Sequence, residues 1–140
     1  MRRCFSLLPP TRDRRGVAAI EFAMVAPLLI LMMLGMVVYG GWFWMAHSVQ
    51  SLASEGARAA IAGLDPSERE ALARGFVGAQ VGDLGLRPDR ASVEVQSTAS
   101  VIRVHVVYDA SDHPLMALGA IIPPPPRTIR RTAVVRLGGY

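Results

Sequence analysis

Residues 14–60 read RRGVAAIEFAMVAPLLILMMLGMVVYGGWFWMAHSVQSLASEGARAA, and the rest of the chain is organised around them. From Phe22 to Ala46 there are 25 consecutive residues without a charged side chain. As a helix rising about 1.5 Å per residue they cover roughly 37 Å, against about 30 Å for a bilayer hydrocarbon core. Tilting or a protruding end absorbs the excess. Secretory signal cores are only about 7–15 residues long, so cleavage at the far end of this run is not expected. Tyr39 and Trp42-Phe43-Trp44 supply amphipathic rings where the helix should leave the lipid, and His47, Ser48 and Gln50 mark the return to water. These residues predict a membrane-spanning helix over 17–46.

Charge distribution gives the topology. Arg2, Arg3, Arg12, Arg14 and Arg15 against Asp13 give residues 1–16 a net +4, which is the whole formal charge of the chain. Residues 17–140 are balanced. The basic pI of about 10.2 is therefore a property of the leader, and no basic stripe with interleaved aromatics argues for nucleic-acid binding. Arginines just before the apolar run place residues 1–16 in the cytoplasm and the remainder outside, by the positive-inside bias. All 15 basic residues are arginine, which reflects a GC-rich genome more than any chemistry. Cys4 is the single cysteine, so no intrachain disulfide forms, and it lacks the context of a lipidation site. A chain of 140 residues has room for one outer domain, which must be stable from its core alone.

One acid interrupts the apolar entrance. Glu21 follows Gly16 by five residues, and a carboxylate at the bilayer centre costs roughly 2.5–3.5 kcal/mol on insertion scales. One reading leaves Glu21 at headgroup level, in a first turn whose dipole favours an anion. The other takes the whole pattern. A basic leader, Gly16, then an apolar helix with glutamate at its fifth position resembles a prepilin peptidase site. The longer string, with GVAAIEF, Pro27 and SEGARAA at Ser54 to Ala60, resembles the TadE-like family of pilus-assembly pseudopilins.

The resemblance implies cutting on the cytoplasmic side after Gly16, with Val17 as the new N-terminus. It implies that the freed amine pairs with the Glu21 of a neighbouring subunit, which removes the cost of an isolated charge and sets the axial register. It also implies partners: a prepilin peptidase, other pilin and pseudopilin subunits, and a pilus-assembly complex in the bacterial inner membrane. Pro27 removes a backbone donor and predicts a kink or loosened turn. That is either a tolerated membrane proline or a device easing extraction from the bilayer.

Beyond the membrane the helix is expected to continue. Val49, Leu52, Ala53, Gly56, Ala57, Ala60, Ile61 and Leu64 recur at spacings of three and four, a small-residue stripe that packs on the C-terminal sheet or on a neighbouring subunit. Gly63 ends this helix. Asp65-Pro66-Ser67-Glu68 starts another as cap, first position and capping box, with Leu72, Phe76 and Val77 inward. Gly82 to Asp89 reads as a loop. Val93 and Val95 alternate with polar residues; after a turn, Ile102, Val104, Val106 and Tyr108 share one strand face opposite Arg103 and His105, so the two strands form a hairpin. Residues 109–126 are irregular, and Pro123 to Pro126 read as a stiff connector, with a proline-rich ligand for a partner as the lesser alternative. Thr128–Leu137 is a last strand with Ile129, Ala133, Val135 and Leu137 inward.

The fold expected is α+β and pilin-like. A basic leader (1–16) that is removed precedes the membrane helix (17–46). An extracytoplasmic domain (47–140) follows, helical over 47–80 and with about three antiparallel strands over 91–137. His47, His105 and His113 are scattered without metal-ligand spacing, no serine sits in a nucleophile elbow, and no phosphate loop is present. Neither an enzyme nor a cofactor is expected. Two functions fit: a processed pseudopilin or accessory of a Tad-type adhesive pilus or related secretion machine, or an unprocessed single-pass binding module. Both place the chain in the inner membrane with its domain periplasmic or extracellular.

Overall fold

The computed structural model describes residues 14–138. Its organising element is α1, Arg14–Ala59, extended by a 3₁₀ turn over Ala60–Ala62. Alanine is the commonest residue of α1, and with its leucines and methionines it loses little freedom in a helix. Gly63 leaves the helix in extended backbone, and α2, Pro66–Gln80, runs back along α1. Asp65 caps α2 as expected, its Oδ1 accepting from the Glu68 N–H at 2.9 Å. The Glu68 carboxylate accepts from the Leu64 N–H at 2.7 Å, one residue before the cap position, so the box closes slightly wider than the standard form.

The sheet is a meander of order β1-β2-β3, built from β1 (Ala91–Ser97), β2 (Val101–Asp109) and β3 (Thr128–Arg136), all antiparallel. The expected hairpin is β1–β2, with Ser97 opposite Ile102 and the Thr98 N–H bonded to the Val101 carbonyl at 2.8 Å. One sheet face carries Val93, Val95, Ile102, Val104, Val106, Tyr108, Ile129, Ala133 and Val135 into the core. The other carries Glu94, Gln96, Arg103, Arg130, Val134 and Arg136 outward. The core is closed from the helical side by Met45, Val49, Leu52, Ala53 and Ala57 of α1 and by Ala73 and Val77 of α2. Each fully buried Leu, Ile, Val or Met contributes about 1.5–3 kcal/mol.

The small-residue stripe on α1 has both α2 and the sheet as its partners. A Cβ placed on Gly56 would lie 3.1 Å from Val77 Cγ2, 3.7 Å from the Ala73 carbonyl and 3.8 Å from Val104 Cγ1. Two ends of the expected pattern fail. Ile61 and Leu64 are exposed, at 48% and 89%, because the 3₁₀ turn and the extended Gly63 rotate the chain off the α-helical face. Leu72 is also exposed, and Ala73 takes its place inward because only a small side chain lets α2 approach Gly56 this closely. Residues 109–126 are more ordered than the sequence suggested: Pro114–Ala120 form a 3₁₀ segment leading into the extended prolines.

Both ends of the domain are tied. At the far end Arg69 donates to the Gly63 carbonyl at 3.0 Å and to Ser97 Oγ at 3.2 Å, joining the α1–α2 turn to the tip of the hairpin. At the near end, beside the apolar half of α1, Arg90 pairs with Asp109 at 3.2 Å and with Asp112, tying the start of β1 to the end of β2. The Asp109 carboxyl is held below the ordinary carboxylate range, first by the Ser111 hydroxyl and N–H and then by Arg90.

Two outcomes follow from this packing. A Cβ placed on Gly75 of α2 would meet no atom within 4 Å, so Gly75→Ala should stabilise the domain by about 0.5–1 kcal/mol, whereas Gly56→Leu should destabilise it by about 1–3 kcal/mol. Urea unfolding of detergent-solubilised protein, followed by near-ultraviolet circular dichroism, measures both. Because the pKa of Asp109 is lowered in the folded state, its contribution is complete above the ordinary carboxylate value and is lost as pH falls from there through the lowered folded-state value. An acid titration of the unfolding midpoint should therefore decline below about pH 4. In Asp109→Asn that decline should be shallower.

Candidate functional site

The residues singled out at the entrance of the helix all lie on the unpacked half of α1. Gly16, Val17, Glu21 and Pro27 are exposed, and α1 runs through Pro27 without interruption. Val17 and Glu21 are four residues apart, which puts them one above the other on the same helix face. Around them Ile20, Phe22, Met24, Val25, Leu28, Ile30, Met33 and Met36 stand exposed at 56–78%. This is a bare apolar rod, and it is the one helix among the described residues long and apolar enough to cross a membrane. It is compatible with a single-pass anchor. Residues 1–13 of the expected leader lie outside the described residues.

The first fully buried residue of α1 is Val38, at 1% exposure, followed by Met45 and Ala46. The helix thus changes partner inside the span expected from composition. From Val38 onward it belongs to the domain, and the bare part runs over 17–37. Roughly 21 residues at about 1.5 Å each give about 31 Å, which matches a hydrocarbon core without excess.

The aromatic residues at this boundary hold chain as well as marking the exit. The Tyr39 hydroxyl donates to the Pro123 carbonyl and the Trp42 Nε1–H to the Pro126 carbonyl, both at 2.9 Å. Leu115 fills the space in front of Gly41, where no side chain projects. Trp42 packs edge-on to Phe43 with ring centroids 5.4 Å apart, and Trp44 lies over Gly85 in the loop after α2. The segment 114–126 is therefore a strap laid across α1. A stiff connector was expected here; its attachment to α1 was not, because the partners lie 84 residues apart.

Arg131 was also missed. It shares the inward face of β3 with Ile129 and Ala133, and lines a shallow notch with Phe43, Ala46, His47 and Gln50. Strict alternation from Ile129 would have found it. His105, read as a surface residue, is half-buried and bonded through Nδ1 to Thr132 Oγ1 at 2.7 Å. Among the described residues no cluster of three or more metal-ligating side chains occurs.

Comparison with known proteins adds one finding. The family model described as TadE-like protein matches residues 16–58, starting at Gly16 and ending one residue before α1 does. No curated protein matches the chain. No solved structure matches it either. Over residues 16–58, which hold nearly the whole of its organising helix, the chain matches the TadE-like family.

Proposed function

We propose that the protein is a pseudopilin or accessory subunit of a Tad-type adhesive pilus or related secretion machine, processed after Gly16. The single observation that carries this reading is that the TadE-like match begins at Gly16, at the foot of an exposed apolar helix with Glu21 on its first turns. A TadE-like segment suggests association with a Tad pilus. The role is structural, not catalytic.

The chemistry assigned to the entrance is electrostatic. Cutting after Gly16 leaves a cationic amine on Val17, at the N-terminus of a helix whose dipole is positive there. Glu21 is one turn above on the same face, so its carboxylate sits where that positive end favours an anion. When helices pack side by side in lipid, pairing Glu21 with the amine of a neighbouring chain removes a charge that low dielectric penalises by several kcal/mol. The same pairing sets how far one helix slides past the next. In this reading the leader faces the cytoplasm and a prepilin peptidase, the helix spans the bacterial inner membrane, and the domain meets other pilin and pseudopilin subunits outside.

The alternative, an unprocessed anchored binding module, draws on the outward sheet face with Arg103, Arg130 and Arg136. Intact mass of protein isolated from cells with an active prepilin peptidase separates the two. The proposal expects a chain beginning at Val17, and Gly16→Val should leave the longer form and impair piliation. Glu21→Gln should be processed yet lower pilus output at least tenfold by shear assay. Full-length protein in those cells, or normal piliation by Glu21→Gln, would count against the proposal.

A further inference from the structure

The strap over α1 has a composition that its role as a connector does not require. From Pro114 to Pro126 the chain reads PLMALGAIIPPPP, thirteen residues without one polar side chain. Polar residues bracket it: Asp109, Ser111, Asp112 and His113 before, Arg127 after. Only part of this apolar surface is used inside the domain. Ile122 and Pro125 are buried, and Leu115 and Met116 are half-buried. Ile121 is 59% exposed, and Ala117, Ala120, Pro123 and Pro124 are exposed beside it.

Height decides what covers this surface. The strap is fixed to α1 at Tyr39, Gly41 and Trp42, immediately beyond the bare stretch that ends at Val37. At about 1.5 Å per residue these attachment points stand roughly 3–8 Å above the end of that stretch. The headgroup zone of a bilayer adds about 5–7 Å on each side of the hydrocarbon core. An exposed apolar loop at this height lies where interfacial segments bury themselves, about 5–10 Å into the boundary. The two hydrogen bonds also suit that zone, since they consume the carbonyls of Pro123 and Pro126 and the polar tips of Tyr39 and Trp42.

We infer that residues 114–124 form a second membrane contact, a wedge lying in the outer headgroup and upper acyl region beside the spanning helix. The contact is continuous with the apolar half of α1 and rests on the single-pass reading above. A lone helix is free to roll about its own axis in lipid. A wedge on one side sets how the helix rolls in lipid, and Glu21, on the same continuous α1, turns with it. The opposite, far end of the domain, marked by Thr98 in the β1–β2 turn, is held clear of the membrane.

Depth-dependent fluorescence quenching of the full chain in phosphatidylethanolamine–phosphatidylglycerol liposomes tests this. In a Cys4→Ser background, Ile121→Cys, Ala120→Cys, Val25→Cys and Thr98→Cys are each labelled with an environment-sensitive nitrobenzoxadiazole. Nitroxide lipids then quench from the headgroup, upper acyl or deep acyl level. Labels at 121 and 120 should be quenched at least threefold more than at 98, most strongly by headgroup and upper acyl nitroxides, while 25 answers to the deep ones. If 25 is quenched and 121 and 120 behave like 98, the wedge is refuted while the anchor stands. Blue-shifted emission at 121 without lipid quenching would mean that protein covers the strap, which also overturns the inference. No quenching at 25 would remove the spanning helix, and the wedge with it.

Discussion

Everything in this molecule depends on α1 serving two environments along one unbroken helix. Between Gly16 and Val37 no residue of α1 is buried, and from Val38 onward one face of the helix forms a wall of the core. A helix satisfies its own backbone hydrogen bonds, so the same element can pass from lipid into a protein interior without exposing polar groups. The residue types change accordingly. Leu, Ile and Met crowd the lower half, while Gly and Ser are concentrated in the upper half, where Gly56 lets α2 and the sheet approach.

The boundary between those environments is built, not merely reached. Tyr39 and Trp42 bind the proline strap, Trp44 covers the loop after α2, and Arg90 draws the adjoining strand ends together. The near end of the domain is consequently the more elaborate one. The far end is secured by Arg69, the cap of α2 and the hairpin turn. Such an arrangement suits a subunit whose helix is the assembly element, because the relation between domain and helix is fixed where they join.

Much of the fold could be read from the residues. The apolar run, the cap at Asp65, the hairpin and the alternation of β2 are local signals, each carried by neighbours in the chain. What could not be read was long-range. Nothing near Pro123 announces that its carbonyl meets Tyr39, and an aromatic cluster beside an apolar run looks like an interfacial belt whether or not it also holds a strap. Strand order was hidden for the same reason. Ile61, Leu64 and Leu72 were misplaced because helical periodicity was carried through a 3₁₀ turn and because leucine was preferred over the smaller Ala73. For the site, the Gly16–Glu21 spacing was legible at once, and the family match starting at Gly16 coincides with it.

α1 stays one helix and changes its surroundings at Val38. A nitroxide scan of residues 30–50 in liposomes, comparing collisions with oxygen and with a water-soluble nickel chelate, addresses it directly. Oxygen should dominate on every face through Val37. From Val38 a helical period should appear, with 38, 45 and 49 shielded from both reagents and nickel access rising on the outer face. Oxygen access on all faces through Ala46, with no shielded positions, would show that the domain does not dock on the helix and would contradict the account.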